Sequence, residues 1–229
     1  MSFANKTLWV FDLFGTEVWI TQTIVNTWII MAVLILFAAA VRILLRRFKT
    51  VPRGFQNAVE SIVEAFDNIV RSSAGESLMG LGNWFFMVFA FILASNLSGI
   101  FGLRPPTADW ATTFAFAMAT FFLIQAVGLR RRGVKYLKSF FEPVFIFFPL
   151  NLIGELSRPI SLSFRLFGNV LAGLIITSLF YSLPVYLHFV LPVALHAVFD
   201  VFFGALQTYV FCTLSLAFIR SAANAAEEA

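Results

Sequence analysis

Residues 145–183 read FIFFPLNLIGELSRPISLSFRLFGNVLAGLIITSLFYSL, a long apolar run with Arg165 near its middle. Arginine keeps its proton at any physiological pH, and a charge at bilayer depth costs from about 3 to more than 10 kcal/mol. Such a charge is tolerated where it works on an ion or proton pathway. The run is also too long for an upright span. Residues 149–183 as a single α-helix would extend about 52 Å, against a hydrocarbon core of about 30 Å. Either the element is strongly tilted or it is broken near Pro159. Residues 192–220 reach about 43 Å by the same arithmetic. A tilted antiparallel pair, 145–183 and 190–220, accommodates both better than two upright spans.

Composition places the rest of the chain in the same solvent. Sixty per cent of the residues are hydrophobic, only 12% are charged, and mean hydropathy is +0.88. A soluble domain carries roughly a quarter charged residues. The expected fold is therefore all-α and polytopic, with five membrane-embedded helices and one amphipathic surface helix. The single cysteine, Cys212, lies in an apolar segment, which leaves no disulfide framework or metal-ligand cluster and excludes redox and metal chemistry. Residues 1–23 scatter Lys6, Asp12 and Glu17 among aromatics, unlike a basic segment followed by an apolar one and a cleavage site. They are expected to remain as an outer segment.

Further spans are expected at 24–45, 84–101 and 111–129. Residues 52–75 instead alternate Phe55, Val59, Ile62, Val63, Phe66, Ile69 and Val70 with Gln56, Glu60, Glu64, Asp67 and Arg71. That is the period of a helix lying on the membrane surface, or of one packed in a small soluble lobe. Arg42, Arg46, Arg47, Lys49, Arg53 and Arg71 follow the first span. Arg130, Arg131, Arg132, Lys135 and Lys138 fall in the loop 130–142; Lys6 and Arg104 stand opposite. The positive-inside rule puts both basic loops in the cytoplasm, the N-terminus outside and the tail 221–229 inside. It also accounts for the net charge of +4 without nucleic acid, since no basic stripe is interleaved with aromatics.

The last pair carries two polar stripes. Arg158, Arg165 and Ala172 are a heptad apart and Asn169 lies four after Arg165, so they share one helix face, with Ser161 alongside. His196, Asp200 and Gln207 share a face of the second element by the same rule. Gly168, Ala172, Gly173, Gly204 and Ala205 flank these stripes and would let another helix approach. Glu155 lies ten residues before Arg165, about 15 Å along the axis toward the cytoplasmic end, and Asp200 lies toward the outer side. A carboxylate on each side of a fixed central cation suits two aqueous half-paths separated by a positive barrier. An ion would cross only if a mobile carboxylate on another subunit carried it around.

The run from Arg158 through Gly173, with Arg165-Leu166-Phe167-Gly168-Asn169 at its centre, resembles the signature of the a subunit of the F-type ATP synthase membrane sector. Asp200 followed seven later by Gln207 matches the second-helix pattern, and the resemblance covers essentially the whole chain in span order. It implies an ion-translocating, non-catalytic stator subunit in which Arg165 faces the carboxylate of a rotating c-ring. Asn169, Ala172 and Gln207 would line the ring-facing surface, Glu155 the cytoplasmic half-channel, and Asp200 with His196 the outer one. The implied partners are the c-ring, the b-type peripheral stalk, the remaining ATP synthase subunits and the lipid bilayer; the implied location is a bacterial inner membrane, with H⁺ or Na⁺ as the ion. No cofactor is implied, and the chain has no phosphate loop. Many bacterial members carry an acid nine positions after the arginine, where this chain has Leu174, and His where it has Asp200. The acid has thus moved to the neighbouring helix.

Plainer readings stand beside these. Arg165 could hold a static salt bridge to Asp200; Arg158 could pair with Glu155 or snorkel. His196 could bond a helix carbonyl, His188 could be interfacial, and Asn169 and Gln207 could be interhelical glue. A self-contained secondary transporter would show inverted repeats, and none is visible. A structural scaffold would tolerate loss of Arg165 with ion coupling intact.

Overall fold

The computed structural model describes residues 7–13, 16–45, 54–141, 144–181 and 191–224. Lys6, Arg46, Arg47, Lys49, Pro52, Arg53, His188, Glu227 and Glu228 lie outside them, and with them much of the charge that sets the expected orientation. Two antiparallel strands, β1 (Thr7–Leu13) and β2 (Thr16–Thr21), open the described part. Helices follow: α1 (Gln22–Leu45), α2 (Phe55–Ala74), α3 (Gly82–Leu97), α4 (Trp110–Arg132), the short α5 (Val134–Ser139), α6 (Phe148–Phe180), the short α7 (Leu191–His196) and α8 (Gly204–Asn224). Between α7 and α8 the backbone runs as a π-helix over Ala197–Phe203. Among the described residues five segments are long and apolar enough to cross a membrane: Gln22–Leu44, Glu76–Phe101, Trp110–Arg132, Phe145–Phe180 and Pro192–Asn224.

The hairpin adds a feature that the sequence reading did not foresee. Its strands are rich in Thr, Val, Trp and Ile, the residues that suit a pleated surface. Val10 pairs with Trp19 and Trp9 with Ile20, and all but the intermediate Ile20 are exposed.

The chain divides into two compact units. Unit 1 comprises Met1–Thr50, Phe89–Thr112 and Leu166–Thr208; unit 2 comprises Val51–Val88, Thr113–Arg165 and Tyr209–Ala229. In unit 1, α1 is built inside out by the standards of a soluble protein. On α1, Thr23 and Asn26 are buried while Leu36 and Ile43 are each 70% exposed. The Asn26 amide donates to the Arg104 carbonyl at 2.9 Å. In lipid, apolar side chains gain nothing by hiding from solvent, so polar contacts and close packing hold helices together.

Unit 2 follows the same rule. Phe85, Val88, Ile124, Leu162, Phe211, Leu216 and Ile219 form its core, and Thr113, Thr120, Ser163 and Ser215 are buried among them. The Thr113 and Ser163 hydroxyls meet at 3.3 Å. On α2 only Phe66, Val70 and Ala74 are buried, Phe66 meeting Phe86 edge-on at 5.2 Å. Phe55, Ile62 and Val63 stay exposed, so the N-terminal part of its apolar stripe is left uncovered. Cys212 is buried, its sulfur 4.0 Å from the Phe85 carbonyl oxygen.

α6 runs through Pro159 as one helix, which removes the alternative of a break there. Proline has no N–H to give the carbonyl four residues back, here that of Glu155. Membrane helices tolerate this where other groups or water satisfy the freed carbonyl, and Glu155 lines a cavity.

Candidate functional site

The Asp200 carboxylate of unit 1 sits within the π-helix, a backbone form that recurs at functional sites. Its Oδ2 lies 2.6 Å from Nδ1 of His196, the last residue of α7, and the two side chains are 16% and 23% exposed. On its far side the imidazole Nε2 lies 3.2 Å from the Tyr181 hydroxyl. Space for the carboxylate exists because residue 99 is glycine: a Cβ there would fall 2.5 Å from Asp200 Oδ2 and 2.9 Å from its Cγ. His196 and Asp200 open on a cavity of about 230 Å³ whose wall includes Gln22, Arg104, Leu174, Thr177 and Ser178. Leu174 thus shares a cavity with Asp200.

A second polar group in unit 1 lies beside the first. The Asn169 amide donates to Gln207 Oε1 at 2.7 Å, Gln207 being buried and Asn169 exposed. Both line a small cavity with Asp200, Asn96 and Gly204. The sequence reading put Asp200 and Gln207 on one face by α-helical period, but Ala197–Phe203 is wound with i→i+5 bonding, so that derivation does not hold over this stretch. They line the same cavity nonetheless. The π-to-α transition is clamped by Asn96 of α3. Its amide donates to the Gly204 carbonyl at 3.0 Å and approaches Thr208 Oγ1 at 3.3 Å, while its Oδ1 accepts from Thr107 at 2.8 Å. Gly204 permits this approach, since a Cβ there would lie 2.9 Å from that of Asn96.

Unit 2 holds the other acid. Glu155 accepts from Arg158 Nη1 at 2.8 Å through Oε1, with Oε2 2.6 Å from the same nitrogen. The Arg158 guanidinium lies over the Phe218 ring at 5.1 Å. The pairing weighed for Arg158 is therefore present. Glu155 and Arg158 line a cavity of about 330 Å³ with Arg132, Tyr136, Ser139, Asn151 and Ser221. The Tyr136 hydroxyl donates to Gln125 Oε1 at 2.9 Å. Gly128 leaves room for its ring, which a Cβ would meet at 2.7 Å. Burial first, and then the negative charge of Glu155, push the Tyr136 phenol above its ordinary range, so it stays neutral at physiological pH.

Arg165 is exposed on α6, as are Asn169 and Ala172. Among the described residues Arg71 pairs with Glu76, Arg158 with Glu155 and His196 with Asp200. Arg165 belongs to none of these pairs. Asn96, Gly99, Tyr136 and Tyr181 were not singled out from sequence. Of these only Asn96 left a trace, as a lone amide in the apolar run 84–101.

Helices long and apolar enough to cross a membrane, which gather acids, amides and hydroxyls around cavities within each unit, define a polytopic integral membrane protein. Its sequence over residues 24–220 matches the family described as ATP synthase A chain. ATP synthase subunit a of Moorella thermoacetica is 38% identical over 205 residues, covering 88% of this chain and 90% of the relative. Subunit a 2 of Bradyrhizobium sp. is 36% identical over 209 residues, 89% of each. Subunit a 2 of Picosynechococcus sp. is 37% identical over 217 residues, covering 91% and 88%. The chain belongs to the ATP synthase A chain family, and so to the membrane sector of an ATP synthase.

Proposed function

We propose that this chain is the non-catalytic, ion-conducting stator subunit of its complex, with two half-channels that deliver ions to and from carboxylates on a rotating c-ring. The observation that carries the reading is Arg165: an exposed, permanent cation on a long apolar helix, with no ion pair among the described residues. A charge so placed is costly unless a partner outside the chain meets it. A passing c-ring carboxylate would be that partner, held ionised while beside the guanidinium. The same charge repels a bare cation and blocks a direct leak between the two routes.

Each unit supplies a route of its own. His196 and Asp200 line the cavity of unit 1, the outer half-channel; Glu155 lines that of unit 2, the cytoplasmic one. That Leu174 lines the same cavity as Asp200 supports the view that an acid moved between helices can serve one route. Asn169, Ala172 and Gln207 would face the ring, with the b-type stalk and the catalytic head as further partners. The N-terminus would face outward and the tail inward, α6 and α8 lying tilted in a bacterial inner membrane.

Arg165→Gln tests the reading. It removes the charge while keeping a polar side chain, so the complex should assemble yet lose ion-driven ATP synthesis. Coupled synthesis at the normal rate by assembled Arg165→Gln complex refutes the assigned role.

A further inference from the structure

We infer that Tyr181 is a positioning residue for His196 on the wall of the unit 1 cavity, the first member of a hydrogen-bonded chain Tyr181–His196–Asp200 that conducts protons. The inference rests on the reading of Asp200 as an ion carrier. The tyrosine hydroxyl lies 3.2 Å from His196 Nε2, and Nδ1 of the same ring lies 2.6 Å from Asp200 Oδ2. The Tyr181 and His196 rings are 6.2 Å apart and inclined at 49°, so they meet through the hydroxyl rather than by stacking. Exposure falls inward along the chain: Tyr181 is open, His196 is 23% and Asp200 16% exposed.

Every member can both receive and give a proton. A proton arriving at the Tyr181 oxygen lets the hydroxyl pass its own to Nε2, while Nδ1 passes its own to Oδ2. One O–H bond is gained at Asp200, and tyrosine and imidazole end neutral. Once Asp200 hands its proton on, exchange with cavity water restores the Nδ1–H tautomer. A hydroxyl fixed against Nε2 holds the ring in the orientation that this cycle needs, because the bond on one imidazole nitrogen sets the role of the other. A metal cation cannot follow this route, since hard cations call for several oxygen ligands and Oδ2 already faces a ring nitrogen. Among the described residues, the charged and titratable groups that bond His196 or share its cavity are Tyr181, Asp200 and Arg104.

The test uses the intact complex in membrane vesicles from which the catalytic head has been removed, with passive proton uptake followed by a pH-sensitive dye. Tyr181→Phe keeps the ring and removes one hydrogen bond, and should slow uptake about five-fold and shift its pH profile. In a His196→Ala background the same substitution should add no further loss. Asp200→Asn is the reference arm. If Asp200→Asn slows uptake while Tyr181→Phe leaves rate and pH profile unchanged, or adds its full effect without His196, the role of Tyr181 is overturned alone. If Asp200→Asn itself changes nothing, the reading of the cavity falls as well.

Discussion

Gly99→Ala places one methyl group against the Asp200 carboxylate and is the most economical probe of the unit 1 cavity. The added Cβ would stand 2.5 Å from Oδ2, 2.9 Å from Cγ and 3.2 Å from Oδ1, so something must move. The nearest atoms belong to the end of a side chain, and rotating it costs less than shifting two helices, for which overpacking takes roughly 1–3 kcal/mol. The carboxylate should therefore turn away from Nδ1, losing a bond now 2.6 Å long. Hydrogen bonds to charged groups contribute about 1.5–3 kcal/mol, equivalent to roughly a ten-fold to hundred-fold change in rate. Passive proton conductance, normalised to assembled complex on native gels, should fall by at least about ten-fold. Gly80→Ala is the control, because nothing lies within 4 Å of a Cβ at that position. An assembled Gly99→Ala complex that conducts like the parent refutes the placement of the His196–Asp200 pair on the ion route.

Three further outcomes follow from the same contacts. Asn96→Ala strips the Thr107 hydroxyl and the Gly204 carbonyl of a buried partner and should destabilise the chain by about 1–3 kcal/mol, read as a lower melting temperature in detergent. Glu155→Gln leaves Arg158 without its counter-charge and removes an acid from the unit 2 cavity; ATP-driven proton pumping should slow several-fold while the complex stays assembled, and an unchanged rate counts against that route. Tyr136 should ionise later than an ordinary tyrosine in an alkaline absorbance titration, and Tyr136→Phe should remove that late phase. The sign follows from a native pKa raised above the unfolded one: the folded state holds the proton longer, so this contribution to stability is complete below about pH 10 and is lost as pH rises beyond it.

The apolar helices were legible because length and the absence of charge decide a membrane span without reference to tertiary structure. The polar residues of α6 were legible for the same reason, each being an exception that lipid makes costly. The π-helix was not: Ala197–Phe203 carries nothing in its composition that distinguishes i→i+5 from i→i+4 bonding, and the Asn96 clamp comes from another helix. Gly99 and Tyr181 gain meaning only when the fold brings them to Asp200 and His196. The hairpin at Thr7–Thr21 did carry β-forming residues, but its exposed tryptophans read equally well as membrane-interface anchors.

Cys212, the chain's one cysteine, points its thiol into packed side chains beside the Phe85 carbonyl, where a bulky alkylating reagent has no access. The native protein is thus a ready blank for sulfhydryl chemistry. A cysteine introduced on the wall of either cavity can be labelled without first removing the natural one, and the depth each reagent reaches would chart how far water enters.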